Sequence, residues 1–472
     1  MIFHSLHFLV FLVVVLAIYW VSPARWRNFL LVPASIVFYG FVHPWFLLPF
    51  ATTTIIDYFV ARGIEAQPAR KRALVAVSVV SNLGLLGVFK YYNFFVENAA
   101  ALLTSLHLPV SLPVLNIVLP AGISFYTFQS IGYVVDVSRG QVRACHSFRD
   151  YALFVSFFPQ LVAGPIQRAG HLLTQIQRPR TVQPAVVAEA LVLIAWGFFK
   201  KLVIADNVAI TANKVFAMQD PSFAMLWTGV FAFCIQIFAD FSAYTDIARG
   251  TARLFGFDLS PNFNHPYLAD SPSDFWRRWH ISLSTWIRDY VFIPLGGSRQ
   301  GSARTSLNLV IVFLLTGLWH GASWNFVLWG LYYAVLTLLY RAAAAVVPAA
   351  WQSLPGLRVG KILLMFLLTN LGWLIFREHN AQQLWRDLTL SPAATPASDW
   401  RVAAYLSTMT ALFALPLVLH TVWDVVLRER VQRWTGWPRL AWTAATAVSL
   451  ALFFGILLLR SDTSQDFIYF QF

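Results

Sequence analysis

The chain has 472 residues, 58% of them hydrophobic and 16% aromatic, and only 12% are charged, against about 25% in ordinary soluble domains. So few charges cannot clothe a soluble surface of this size, which excludes a soluble enzyme, a disordered chain and a fibrous protein and leaves a polytopic membrane protein. The balance of 34 Lys and Arg against 21 Asp and Glu, a formal +13, reads as loop charge that sets orientation. It does not read as nucleic-acid binding, because no soluble basic domain is present to do it.

Crossings need ~20 mostly apolar residues. In chain order they are expected near 5–22, 28–44, 46–61, 73–90, 114–137, 186–208, 223–247, 306–320, 323–341, 361–376, 402–425 and 440–459. The first run has no basic flank and no small-residue cleavage site, so it is expected to be a retained span and not a signal peptide. A shorter apolar stretch at 151–164 ends in Val162-Ala-Gly-Pro165. Gly-Pro breaks a helix, and irregular backbone at membrane depth must be buried in protein, so this stretch is expected to be re-entrant.

The loops after every second crossing hold most of the basic residues, from Arg25 and Arg27, through Arg62, Arg70, Lys71 and Arg72, Arg139 to Arg180 and Arg249 to Arg304, to Arg341, Arg358 and Lys361 and the group Arg428, Arg430, Arg433 and Arg439. Lys90, Lys214, Arg377, Arg386, Arg401 and Arg460 fall on the other side, and Lys200 and Lys201 lie inside a span. This asymmetry puts the basic loops in the cytoplasm and both termini outside. Cys145 and Cys234 stand at neither metal nor disulfide spacing and are expected to be free thiols. No internal repeat or linker divides the chain, so residues 1–472 read as one membrane domain.

Residues 249–305 are the longest stretch without a span. Ser271-Pro-Ser-Asp274 is a helix start, with Ser271 as N-cap, Pro272 in the first helical position and Asp274 closing a capping box. Trp276, Trp279, His280, Leu283, Trp286, Ile287 and Tyr290 then recur at helical spacing, with Arg277, Ser284 and Arg288 opposite, up to Pro294 and Gly296-Gly297. One amphipathic helix at the cytoplasmic interface is expected. His280 within its aromatic stripe is either functional or a packed histidine bonded to a carbonyl.

The next span, within 306–324, carries Thr316-Gly-Leu-Trp-His320-Gly-Ala-Ser-Trp324. At about 1.5 Å per residue, His320 lies ~20 Å in, beyond the middle of a ~30 Å hydrocarbon core. An ionisable residue there is a candidate functional group, and histidine is the commonest general base near neutral pH. The alternative is a histidine bonded between helices. Gly317 and Gly321 leave room beside it for a substrate or a neighbouring backbone. In the span 223–247, Gln236, Asp240 and Tyr244 share one face, with Ser242 and Asp246 nearby. They can orient a histidine, line a cavity or form an ion pair. No Walker A loop, GxGxxG fingerprint, GxSxG elbow or HExxH pair occurs in a suitable context.

Asp274-Phe-Trp-Arg-Arg-Trp-His280-Ile-Ser-Leu-Ser-Thr-Trp286 followed by Thr316 to Trp324 resembles the membrane-bound O-acyltransferase family. Pro120-Ala-Gly-Ile-Ser-Phe-Tyr126, Phe157 to Gln167, Gly197-Phe-Phe-Lys-Lys201, Asp240 to Asp246 and the ending Asp466-Phe-Ile-Tyr-Phe-Gln-Phe472 agree with it. The tail is similar to that of the bacterial branch that O-acetylates polysaccharides. The resemblance implies an all-α fold, a ring of about 11–13 transmembrane helices around a central tunnel, with re-entrant and interfacial helices. It implies that His320 is the catalytic histidine and His280 its companion. Asp240, Tyr244, Asp246, Arg277, Arg278, Ser282, Ser284, Trp286, Trp319 and Ser323 are then expected to bind the donor or line the tunnel. No metal and no permanently bound cofactor are expected.

The function so implied moves an acetyl group from cytoplasmic acetyl-CoA across the bacterial inner membrane. The acceptor would be an extracytoplasmic polysaccharide (an alginate-like exopolysaccharide, cellulose or peptidoglycan), reached directly or through a periplasmic acetyltransferase. Membrane lipids are the other expected partners, and nucleic acid is not one. A proton-coupled transporter, a non-catalytic scaffold and an acyltransferase acting on a lipid or protein hydroxyl remain as alternatives.

Overall fold

The computed structural model describes residues 1–108, 112–115, 118–162, 164–181, 183–347, 355–378, 380–427, 438–463, 465 and 467–468, with the backbone alone for 355 and 438–446. Of the expected features, Arg428, Arg430, Arg433, Ala163 and most of the tail motif, namely Asp466 and Tyr469–Phe472, lie outside the described residues.

Regular structure among the described residues is entirely helical. The first half contains α1 (Leu6–Val21), α2 (Ala24–Gly40), α3 (Leu47–Ala66), α4 (Lys71–Leu86), α5 (Tyr92–Ser105) and α6 (Ile123–Ser138). Three short helices follow, α7 (Phe148–Ser156), α8 (Phe158–Leu161) and α9 (Ala169–Ile176), then α10 (Pro184–Phe199), α11 (Asp206–Phe216) and α12 (Phe223–Leu254). Next come α13 (Pro272–Arg278), α14 (Ile281–Ile287), α15 (Gly301–His320) and α16 (Trp324–Val346), and then the helices Pro355–Arg377, Ala381–Thr389, Ala397–Val422 and Pro438–Leu459. Seven helices among the described residues are long and apolar enough to cross a membrane, while α1 and 447–459 are apolar but shorter. The fold is that of a polytopic membrane protein.

Local chemistry explains where several expected spans start and stop. The stretch expected at 114–137 becomes helical only at Ile123, because Gly122 takes a left-handed turn at φ 76° that a side chain would resist. A Cβ at Gly122 would also run into the carbonyl of Leu161. Among its described residues the stretch 151–164 is interrupted at Phe157 and mostly buried. Its irregular backbone is satisfied from inside the protein: Gln129 and Gln160 donate to Phe154 O at 2.6 and 2.7 Å, and Phe158 N donates to Ser35 Oγ at 3.2 Å.

α12 is the central post, 32 residues long, packed against α10, α11 and the helices Pro355–Arg377 and Ala397–Val422. Between α10 and α11 the chain winds as a π-helix over Lys200–Ala205, and both lysines are buried. Lys200 Nζ donates to Asp246 Oδ2 at 2.6 Å and to Ser242 Oγ at 2.9 Å. Lys201 pairs with Asp206 at 2.9 Å and Asp240 at 3.1 Å and donates to Gln465 O at 2.7 Å. Ile468 N donates to Asp240 Oδ2 at 2.7 Å, Phe467 stacks on Tyr244 at 4.1 Å, and His4 Nδ1 lies 3.0 Å from the Tyr244 hydroxyl. Residues from opposite ends of the sequence thus converge on one face of α12.

α15 and α16 form a close antiparallel pair. A Cβ at Gly317 would strike the carbonyl of Phe326, and one at Gly330 the carbonyl of Phe313. The room beside Gly317 and Gly321 is therefore taken by Phe326, by its backbone at the first and its ring at the second. Of the two alternatives for that space, a neighbouring element fills it. Cys145 and Cys234 are free and buried, and burial raises the Cys145 thiol above its ordinary range, away from thiolate chemistry.

Candidate active site

The stripe from Trp276 to Tyr290 is not one helix. Ser271 caps α13 as its sequence suggests, accepting from Asp274 N. The helix then stops at Arg278, His280 turns left-handed at φ 43° and ψ 55°, and α14 begins at Ile281. A helical spacing on both sides of the break hides it in the sequence. What makes the break tenable is the segment before α13, which takes up the freed backbone groups: Asn264 N donates to Arg278 O at 3.0 Å, Ile281 N donates to Asn262 O at 2.9 Å and Ser282 N to Asn262 Oδ1 at 3.2 Å. The expected interfacial helix is corrected accordingly. Its aromatic face lies in the interior, with Phe275, Trp279, Leu283, Trp286 and Ile287 all buried.

The break delivers His280 into that interior at 1% exposure. Its ring lies 4.8 Å from Phe241 of α12, 5.6 Å from Trp319 of α15 and 6.2 Å from Phe125 of α6, measured between centroids. His320, the last residue of α15, is 5% exposed. Its ring lies 4.9 Å from Trp319, 4.9 Å from Trp329 and 5.2 Å from Phe376. The two histidines, 40 positions apart in sequence, therefore lie against the same indole, and five helices supply the walls. A buried imidazole among aromatic faces is a place where one proton can be taken up and returned away from water.

The end of α15 is fixed from outside. Lys90 Nζ donates to Trp319 O at 2.5 Å and to His320 O at 3.0 Å, and Tyr91 Oη donates to Leu318 O at 2.7 Å. Sequence reasoning assigned Lys90 only to the outer side. The available signal was a lone lysine beside aromatic residues at the end of an apolar run. Asn262, which braces the break at His280, gave no signal.

The other expected residues fall into four groups. Trp286, Ser282 and Ser284 surround the break: Trp286 stacks on Phe128 at 3.9 Å and donates to Phe128 O at 2.7 Å, Ser282 Oγ accepts from Ile166 N at 3.0 Å, and Ser284 Oγ donates to Trp279 O at 3.2 Å. Ser323 sits at the N-cap of α16, three residues past His320, without a side-chain capping bond. Asp240 and Asp246 belong to the lysine pairs, with Tyr244 between the chain ends, although Phe241 on the same helix reaches His280. Arg277 and Arg278 both reach Asp274, at 3.5 and 2.8 Å, and the Arg277 side chain is 70% exposed. Among the described residues no three His, Cys, Asp or Glu side chains gather as a metal set.

Comparison with known proteins supplies the class of chemistry. The profile of the MBOAT, membrane-bound O-acyltransferase family, matches residues 139–372, which include both histidines. The chain is 38% identical to a probable alginate O-acetylase AlgI of Azotobacter vinelandii over the whole of both chains. It is 43% identical to the Pseudomonas aeruginosa protein of the same name over 82% of this chain and 74% of that one. It is 32% identical to a peptidoglycan O-acetyltransferase of Helicobacter pylori over 95% of this chain and 92% of that one. With similarity of this extent joined to a multi-pass helical fold, the chain belongs to the membrane-bound O-acyltransferase family and is an O-acyltransferase.

Proposed function

We propose that this protein transfers an acetyl group from acetyl-CoA, supplied on the cytoplasmic side of a bacterial inner membrane, toward the hydroxyl of an extracytoplasmic polysaccharide, with His320 as general base. The observation that carries it is the pair His280 and His320, both against Trp319 and buried where five helices meet. The names of the similar proteins, alginate O-acetylase and peptidoglycan O-acetyltransferase, support a polysaccharide acceptor and leave its identity among exopolysaccharide, cellulose and peptidoglycan.

In this scheme the acceptor hydroxyl gives its proton to His320, its oxygen bonds to the acetyl carbonyl carbon, and the carbon–sulfur bond of the thioester breaks. The departing CoA thiolate takes the proton back from His320 and leaves as the thiol. His280 polarises the thioester carbonyl. The basic loops mark the side of donor entry. A cavity of about 340 Å3 lined by residues 292–293 and 296–300 lies within the basic segment 249–305, and Arg277 of that segment, paired with Asp274 but 70% exposed, offers a guanidinium that suits donor phosphates. A periplasmic acetyltransferase completes delivery where the acceptor cannot reach the membrane, and both chain ends face the periplasm.

Membranes carrying His320→Ala should transfer labelled acetyl from acetyl-CoA about 100- to 10,000-fold more slowly, with the protein present at wild-type level. Undiminished transfer by that variant would sink the assignment.

A further inference from the structure

A helix that ends inside a protein leaves its last carbonyls without N–H partners. α15 ends at His320, and Gly321 is extended, at φ −165°. The carbonyls of Leu318, Trp319 and His320 are all met by two consecutive side chains of one other segment, Lys90 and Tyr91. That segment, Gly87–Tyr91, is wound as a π-helix between α4 and α5, a local widening that recurs at functional sites because it re-aims side chains. The ammonium group sits at the negative pole of α15 and 5.8 Å from the centroid of Trp319. Among the described residues its hydrogen-bond acceptors are these two carbonyls and no carboxylate.

We propose that Lys90 is a positioning residue for acyl transfer: through the carbonyls of Trp319 and His320 it fixes the last turn of α15, and with it the His320 imidazole and the indole that both histidines lie against. This rests on the proposed role of His320. A three-pronged ammonium suits two carbonyls on one helix end, whereas a thioether or alkyl chain of the same length cannot donate to either. The last turn of α15 is followed directly by the extended Gly321. Without the clamp that turn is the part of the helix most able to fray, and the imidazole moves with it. Such loosening touches the geometry of the reacting atoms and leaves the donor's remote contacts alone, so it should appear in kcat and not in KM.

The test uses the full-length protein in membranes and acetyl-CoA as the probe, with Lys90→Met, Lys90→Arg, Tyr91→Phe and the His320→Ala reference measured side by side. Lys90→Met should lose about 100-fold in kcat at unchanged KM for acetyl-CoA. Lys90→Arg, which keeps donors and charge, should recover kcat to within about tenfold of wild type. Wild-type kcat per folded Lys90→Met molecule, with His320→Ala inactive, would overturn the positioning role and leave the function standing. An active His320→Ala would overturn both. If Lys90→Met fails to accumulate, Tyr91→Phe decides, because it removes one donor of the same clamp without touching charge. A lowered kcat at constant KM supports the clamp, and an unchanged kcat overturns it.

Discussion

Two lysine sites, one buried and one half-buried, use opposite solutions to the same problem. On the face of α12, Lys201 meets two carboxylates, Asp206 and Asp240, and one carbonyl. At the end of α15, Lys90 meets, among the described residues, carbonyls alone as hydrogen-bond acceptors. In the first, charge answers charge, so the arrangement is self-contained and holds elements together. In the second, the cation answers a helix pole, so its effect falls on whatever that helix end carries, and here it carries His320. The carboxylate-paired site belongs to the frame, and the carbonyl-bound site is the one we propose to serve the chemistry.

The largest effect that would break this contrast is on the frame. Lys201→Met strands Asp206 and Asp240 in the interior, and losing one partner of a buried pair costs about 3–5 kcal/mol. Thermal unfolding in detergent should show the loss. The double variant Lys201→Met with Asp240→Asn should cost less than the sum of the single changes. A Lys201→Met protein of wild-type stability but lowered kcat would erase the distinction.

Gly317→Ala comes next. The new methyl meets the Phe326 backbone, which cannot swing aside as a side chain end does. Overpacking of this kind costs about 1–3 kcal/mol. Because Gly317 lies one turn before His320, it should lower stability and acetyl transfer together. The smallest effect is expected for Ser282→Ala, which leaves Ile166 N without its acceptor and should cost about 1 kcal/mol. It reads out how strongly the 164–168 segment braces α14, and hydrogen exchange at that amide is the direct measure.

Much of the site was legible because its determinants are local. The Ser271 cap, the Gly-Pro break near 164 and a histidine deep in an apolar run are each set by neighbouring residues. The break at His280 was not, because helical spacing continues on both sides of it and the groups that stabilise it, Asn262 and Asn264, lie outside the stripe. The glycines at 317 and 321 announced close approach but not by whom. The clamp from Lys90 joins positions about half the chain apart, and no local pattern encodes such a pairing. Lys200 and Lys201 were visible as anomalies inside a span. Their partners Asp246 and Asp240 were visible as well, and only their meeting required the fold.

The ring of Tyr244 has one more consequence, and it concerns time. Phe3 lies against it at 5.7 Å and Phe467 stacks on it at 4.1 Å. When Tyr244 is made Phe3 already exists, whereas Phe467 follows 223 positions later, so the ring gains its two neighbours at well-separated moments of synthesis.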